Sequence, residues 1–283
     1  MSLLVLLIAL GLRQFGLARG LAAILSGWSR GWVQGWEGRG SREGWAGILT
    51  LLLIVLLPTL LAAVLATVLS GVWHVLLLGL VSLVVMVTVL LDQQQPDVLR
   101  RETEAWLAAD EQARLLIVQA DPADIERAAT EEFQRVRKAL LIEQLRELFA
   151  PVFWFLLLGP AAAMAYFFLR LSAERDNTAA VQARRLLHYA EWPVVRALSL
   201  SFALAGDFLA TWQHWRAHVL DAAMEALPLL DESASHAQHV DLRMRRDVMP
   251  GEVLGEALQS VAALLHRALI IWVVLLALHT LWP

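Results

Sequence analysis

The sequence has no cysteine. That excludes disulfides, thiolate metal sites and cysteine nucleophiles, and it leaves the redox compartment open. Lysine is nearly absent too. Lys138 stands alone in Arg-Val-Arg-Lys-Ala-Leu, with no glycine loop before it. A phosphate-loop or Schiff-base lysine can therefore only be Lys138, in a setting that suits neither. No GxGxxG, Walker loop, HExxH or GxSxG sequence occurs. The chain also lacks a net positive charge. Its formal net charge is −4, so no overall basic field attracts nucleic acid.

What is present is apolar. Of the 283 residues 58% are hydrophobic and 12 are tryptophan, with a mean hydropathy of +0.58. Soluble domains are about 45–50% apolar. The sequence predicts an all-α fold: a polytopic integral membrane protein with four clear transmembrane helices plus membrane-associated amphipathic helices. The lipid bilayer is its first partner.

Six segments follow in order. Residues 1–45 hold an N-terminal membrane-associated helix and a Gly/Trp-rich stretch. The apolar run Ser2–Leu12 is too short to span alone. Arg13 and Arg19 follow it, whereas a signal peptide carries its cations before the run. A helix lying in the membrane surface and a tilted full span both fit residues 1–25. Next, glycine recurs at 27, 31 and 35 and tryptophan at 28, 32 and 36. On a helix this makes a bare stripe beside an indole stripe, fit for close helix approach in a homodimer. A glycine-rich interfacial loop is the other reading. Residues 46–91 form a transmembrane hairpin, with one span bent near Pro58, a Ser70-Gly71 turn and a second span from Val72.

Residues 92–147 are polar and helical. Asp121-Pro122-Ala123-Asp124 is a strong helix start. From there Ile125, Ala129, Phe133, Val136 and Leu140 recur at helical spacing, and the stripe then steps over by one residue to Leu141, Leu145 and Leu148. Residues 148–170 form a broken transmembrane helix. It carries no charge between Phe149 and Leu169, starts near Pro151 and is interrupted by Gly159-Pro160. A proline in mid-span leaves a carbonyl one turn back in need of another partner. Tyr166 and Arg170 at its end suit the interface. Residues 171–261 hold a helix from Thr178 that Pro193 should end, a membrane-associated helix over 194–226, and a flexible loop over 228–250. Residues 262–283 are the C-terminal span. Arginine and lysine counts slightly favour both termini and 92–147 on the cytoplasmic side.

The densest charged set is Arg184, Arg185, His188, Glu191 and Arg196. Guanidinium groups in such a cluster can clamp the phosphate or carboxylate of an anionic small molecule; a solvated helix face with a membrane-surface arginine is the other reading. Glu143 and Glu147 share a helix face beside Arg146. They read as surface acids with Arg146 as a partner for Glu143, or as oxygen ligands for a divalent cation. His236 and His239 with Asp241 lie in the expected loop and read as solvated. No cofactor is identifiable, and no residue is assigned a catalytic or metal-binding role.

The run Phe149-Ala-Pro-Val-Phe-Trp-Phe-Leu-Leu-Leu-Gly-Pro-Ala-Ala-Ala-Met-Ala-Tyr166 resembles the AmpE family. So does Leu187-His-Tyr-Ala-Glu-Trp-Pro-Val-Val-Arg-Ala-Leu-Ser-Leu-Ser-Phe-Ala-Leu-Ala-Gly-Asp-Phe208. The resemblance covers the order of spans over most of the chain, and its specific motifs lie between about Glu143 and Phe208. It implies a multi-pass protein of the bacterial inner membrane, linked to cell-wall recycling and β-lactamase induction. The AmpE family is similar in turn to the CobD/CbiB membrane synthases of cobalamin assembly. Of the synthase motifs only Glu143 is kept here. The alternative expectation is a CobD/CbiB-like synthase acting on a carboxylate or phosphate substrate.

Overall fold

The structure is a computed structural model that describes residues 19–37, 45–68, 105–106, 122–175, 178–219, 226–238 and 250–281. The expected span from Val72, the run Ser2–Leu12, the helix start at Asp121, and His239 and Asp241 lie outside the described residues. Every described element is helical. In chain order these are α1 (Arg19–Glu37), α2 (Trp45–Val68) and α3 (Pro122–Gln144). A π-helical turn (Leu145–Phe149) leads into α4 (Ala150–Leu158) and α5 (Pro160–Ala173). Then come α6 (Thr178–Ala205), α7 (Phe208–His218), α8 (Ala226–Ala237) and α9 (Pro250–Leu281). Val253–Leu275 is long and apolar enough to cross a membrane, and Ile48–Leu61 is a shorter apolar helix.

The chain divides into two compact units. The first is Met1–Gln93, Leu145–Val194 and Leu275–Pro283; the second is Gln94–Gln144 and Val195–Val274.

In the first unit the Gly/Trp stretch is a helix, not a loop. Of its indole stripe, Trp32 and Trp36 are half-buried and Trp28 is exposed. Val33 joins Ile54 of α2 and Phe167, Phe168 and Leu171 of α5 in one buried cluster, with Trp32, Trp36, Val55 and Met164 packed against it. Trp28 meets Phe168 edge-on at 6.3 Å. The glycine stripe is left bare: a Cβ built at Gly27, Gly31 or Gly35 meets nothing within 4 Å.

The prolines explain two of the polar contacts in this unit. Pro58 lies inside α2 and has no N–H to give the carbonyl of Ile54 one turn back. The indole Nε1 of Trp32 donates to that carbonyl at 3.4 Å. Pro151 follows the π-helical turn. In a regular helix its ring would press on the carbonyl of Glu147, four residues back, and a wider turn makes room. Here Arg170 Nη1 donates to the carbonyl of Arg146 at 3.4 Å. Gly159 separates α4 from α5 with φ 84° and ψ −170°, a conformation nearly restricted to glycine.

The outward side of α2 is leucine-rich. Leu49, Leu52, Leu56, Leu57, Leu60, Leu61 and Val64 are each 42–61% exposed, while Leu51 and Ile54 are buried. A helix apolar on every face suits an apolar surrounding. Leu157 and Leu158 at the end of α4 are exposed in the same way.

In the second unit the apolar stripe of α3 is buried as its spacing requires: Ala129, Phe133, Val136, Leu140 and Leu141. Trp106 Nε1 donates to Glu132 at 3.3 Å. The expected flexible loop over 228–250 is corrected at its start, because residues 226–237 form α8. Leu229, Leu230, Ala234 and Ala237 are buried on that helix, which packs against α3 and α7. Asp231 is held by Arg137 of α3. A short apolar stripe was hidden among polar neighbours.

The expected helix over 194–226 also differs. Pro193 does not end the preceding helix, and α6 runs on through it to Ala205. Buried residues on both sides of the proline, Leu187 before and Val195, Leu198 and Phe202 after, outweigh one lost hydrogen bond. The break comes instead at Gly206, where a Cβ would stand 2.3 Å from the Ala237 carbonyl oxygen. Only glycine fits so close an approach. Asp207 then caps α7, with its Oδ1 accepting from the Ala210 amide at 3.2 Å.

Candidate functional site

The first unit contains a cluster of buried charge where the broken helix meets α6. Glu191 is its centre. Its carboxylate accepts from Arg146 Nε at 2.6 Å and Nη2 at 3.3 Å, and from the Tyr166 hydroxyl at 3.3 Å. Three local features position these groups. The π-helical turn carries Arg146, α5 carries Tyr166 one turn before its basic last turn, and the unbroken course of α6 carries Glu191. Arg170 lies one turn beyond Tyr166 and holds the Arg146 carbonyl. Its Nε is 3.5 Å from Glu174.

Burial is uneven across the cluster. The side chains of Glu191 and Arg170 are 3% and 9% exposed, whereas Arg146 is 40% exposed and Glu174 57%. Two guanidinium groups face two carboxylates, so the formal charges balance. The partly open Arg146 sits over a closed carboxylate. A carboxylate or phosphate arriving from outside can compete with Glu191 for that guanidinium, because a planar fork binds either anion in two bonds.

Of the six residues expected from sequence, Glu191 is the one hydrogen-bonded within this cluster. Arg184 instead closes the end of α5 and the turn after it, with Nε to the Ala173 carbonyl at 3.0 Å and Nη2 to the Arg175 carbonyl at 2.7 Å. Cations at a helix C-terminus satisfy carbonyls that the helix leaves without partners. Arg185 is exposed. His188 is half-buried, with its ring 5.6 Å from that of Tyr189. Arg196 belongs to the second unit. There its Nε donates to the Val219 carbonyl at 3.0 Å, and its own carbonyl accepts from Trp215 Nε1 at 2.9 Å. Glu143, half-buried on α3, belongs to the second unit too.

Sequence reasoning missed Arg146, Tyr166 and Arg170 as members of one site. Tyr166 and Arg170 end an apolar run, a pattern shared with interfacial anchors, yet both are buried. The available signal was the proline at 151, which has no N–H to give a carbonyl about one turn back, so that another donor must reach it.

Among the described residues no group of three or more His, Asp or Glu side chains is arranged to hold a metal ion. Comparison of the chain with models of known families, with curated proteins and with solved structures returned no match.

Proposed function

We propose that this protein is a multi-pass bacterial inner-membrane signalling modulator of the AmpE kind, linked to cell-wall recycling and β-lactamase induction. One observation carries the reading. Tyr166 and Glu191, which stand in the two runs that resemble AmpE, are hydrogen-bonded to each other, and Arg146, just before the first run, is bonded to Glu191. A resemblance on two stretches that meet at one buried carboxylate has a common physical basis, which two unrelated apolar runs lack. Membrane embedding is supported by the span-length apolar helix Val253–Leu275 and by the exposed leucines of α2. Ionisable groups inside a membrane protein are expensive, and their usual justification is function.

In this reading an anionic small molecule draws Arg146 away from Glu191 and loosens the join between α5 and α6. Glu191→Gln and Tyr166→Phe change that join while keeping side-chain size. Each is expected to lower β-lactamase induction severalfold, with protein in the membrane fraction kept at the wild-type level. Normal induction in both variants would reject the reading.

The alternative, a CobD/CbiB-like membrane synthase, is favoured by the same guanidinium groups, which suit a carboxylate or phosphate substrate. It requires turnover of ATP or a cobalamin precursor by the purified chain, and it requires Glu143.

A further inference from the structure

The second unit holds a group of titratable side chains that this reading does not use. α7 and α8 pack against each other, tightly at one end: the Asp207 amide donates to the Ala237 carbonyl at 3.0 Å, and Gly206 leaves no room there for a Cβ. One to two turns along α7, the ring of His214 lies 4.6 Å from that of His218 and 5.0 Å from that of His236 on α8. His214 Nε2 stands 3.2 Å from Glu232 Oε2. The His214 side chain is 11% exposed, against 52% for Glu232.

Among the described residues the surrounding charges are few. His218 approaches from the same helix, and Glu232 and His236 from α8. Asp231 of α8 is committed to Arg137 of α3, with Lys138 at 3.9 Å. Arg196 of α6 reaches the end of α7 at the Val219 carbonyl. His214 thus meets the half-exposed Glu232 carboxylate and two neighbouring imidazoles. With the rings neutral the arrangement carries little charge. With the rings protonated, three positive charges lie about one ring spacing apart, and among the described residues Glu232 is the carboxylate beside them.

We propose that the α7–α8 pair is an acid-released latch, in which protonation of His214, His218 and His236 separates two helices that hold together at neutral pH. Burial keeps the His214 imidazole below its ordinary range; Glu232 pulls the other way, and His218 and His236 add to the depression. A group depressed in this way takes its proton more readily once the pair has opened. Attachment is therefore complete above the ordinary imidazole pKa and is lost as the pH falls below it. Each unit of pKa difference between the open and closed pair is worth about a factor of ten in the opening equilibrium.

The test is hydrogen exchange of the full chain in detergent micelles at about pH 7.5 and about pH 5.5, expressed as protection after correction for the intrinsic rate. Protection over residues 206–219 is expected to fall roughly tenfold or more at the lower pH, and to stay constant over 145–175. His214→Gln, His218→Gln and His236→Gln together should remove the difference. Equal protection at both pH values would overturn the latch, and so would a difference that survives the triple variant. Should the triple variant not fold, Glu232→Gln decides. Losing that compensating carboxylate should move opening to higher pH, and an unmoved or lowered midpoint would contradict the proposal.

Discussion

Arg146→Met is expected to lower stability by about 3 kcal/mol, more than Glu191→Gln does, although both disturb the same ion pair. The difference comes from burial. Arg146 is 40% exposed and can turn to water when its partner is lost, while Glu191 is 3% exposed and cannot. The pair itself contributes modestly, since one partner is partly open to solvent. The cost of Arg146→Met lies in stranding a carboxylate whose remaining bond is the Tyr166 hydroxyl at 3.3 Å.

One signature separates this from general loss of packing. The double variant Arg146→Met with Glu191→Met should be more stable than the single Arg146→Met. Denaturant unfolding of the purified chain in micelles measures both variants. An Arg146→Met variant within about 0.5 kcal/mol of wild type would show that Glu191 is not confined as described.

Asp231→Ala is expected to have a comparable effect in the second unit, about 3–5 kcal/mol, and to exceed Arg137→Ala. Here both partners are closed off: Arg137 Nε lies 2.7 Å from Asp231 Oδ1, and the side chains are 10% and 12% exposed. Removing Asp231 leaves a guanidinium inside with the Phe133 ring, 5.3 Å away, as its described contact. Removing Arg137 leaves Asp231 with Lys138, 3.9 Å away and 44% exposed, which can move in. A side chain that compensates one loss and not the other sets the order. Unfolding free energies of the two alanine variants test it, and the reverse order would remove Lys138 from that role.

Much of the helical architecture was legible in the sequence, and the reasons are local. The stripe Ala129, Phe133, Val136, Leu140 is buried as its spacing demands, and its one-residue step at Leu141 precedes a π-helical turn that shifts the register of the helix. The Gly159-Pro160 interruption is a real break because its backbone needs a glycine. Pro193 misled because proline's usual effect on a helix was outweighed by the buried residues on both sides of it. α8 was hidden because four apolar residues were too short a signal in a polar stretch.

The site was less legible for a different reason. Arg146 and Glu191 are 45 residues apart, and nothing local marks them as partners. The dense sequence cluster was a better guide to helix ends than to a pocket. Arg184 finds its partners in carbonyls 9 and 11 residues away.

The central claim is that these helices lie in a membrane with the leucines of α2 facing lipid. The absence of cysteine makes it directly testable by single-cysteine labelling. Leu57→Cys on α2 and Ser235→Cys on α8 are both exposed in the folded chain. In open membrane fragments, where both faces meet the reagent, a charged maleimide should modify Ser235→Cys readily and leave Leu57→Cys unreacted until detergent is added. Equal labelling of the two positions without detergent would mean that α2 faces water, and the membrane reading would fail with it.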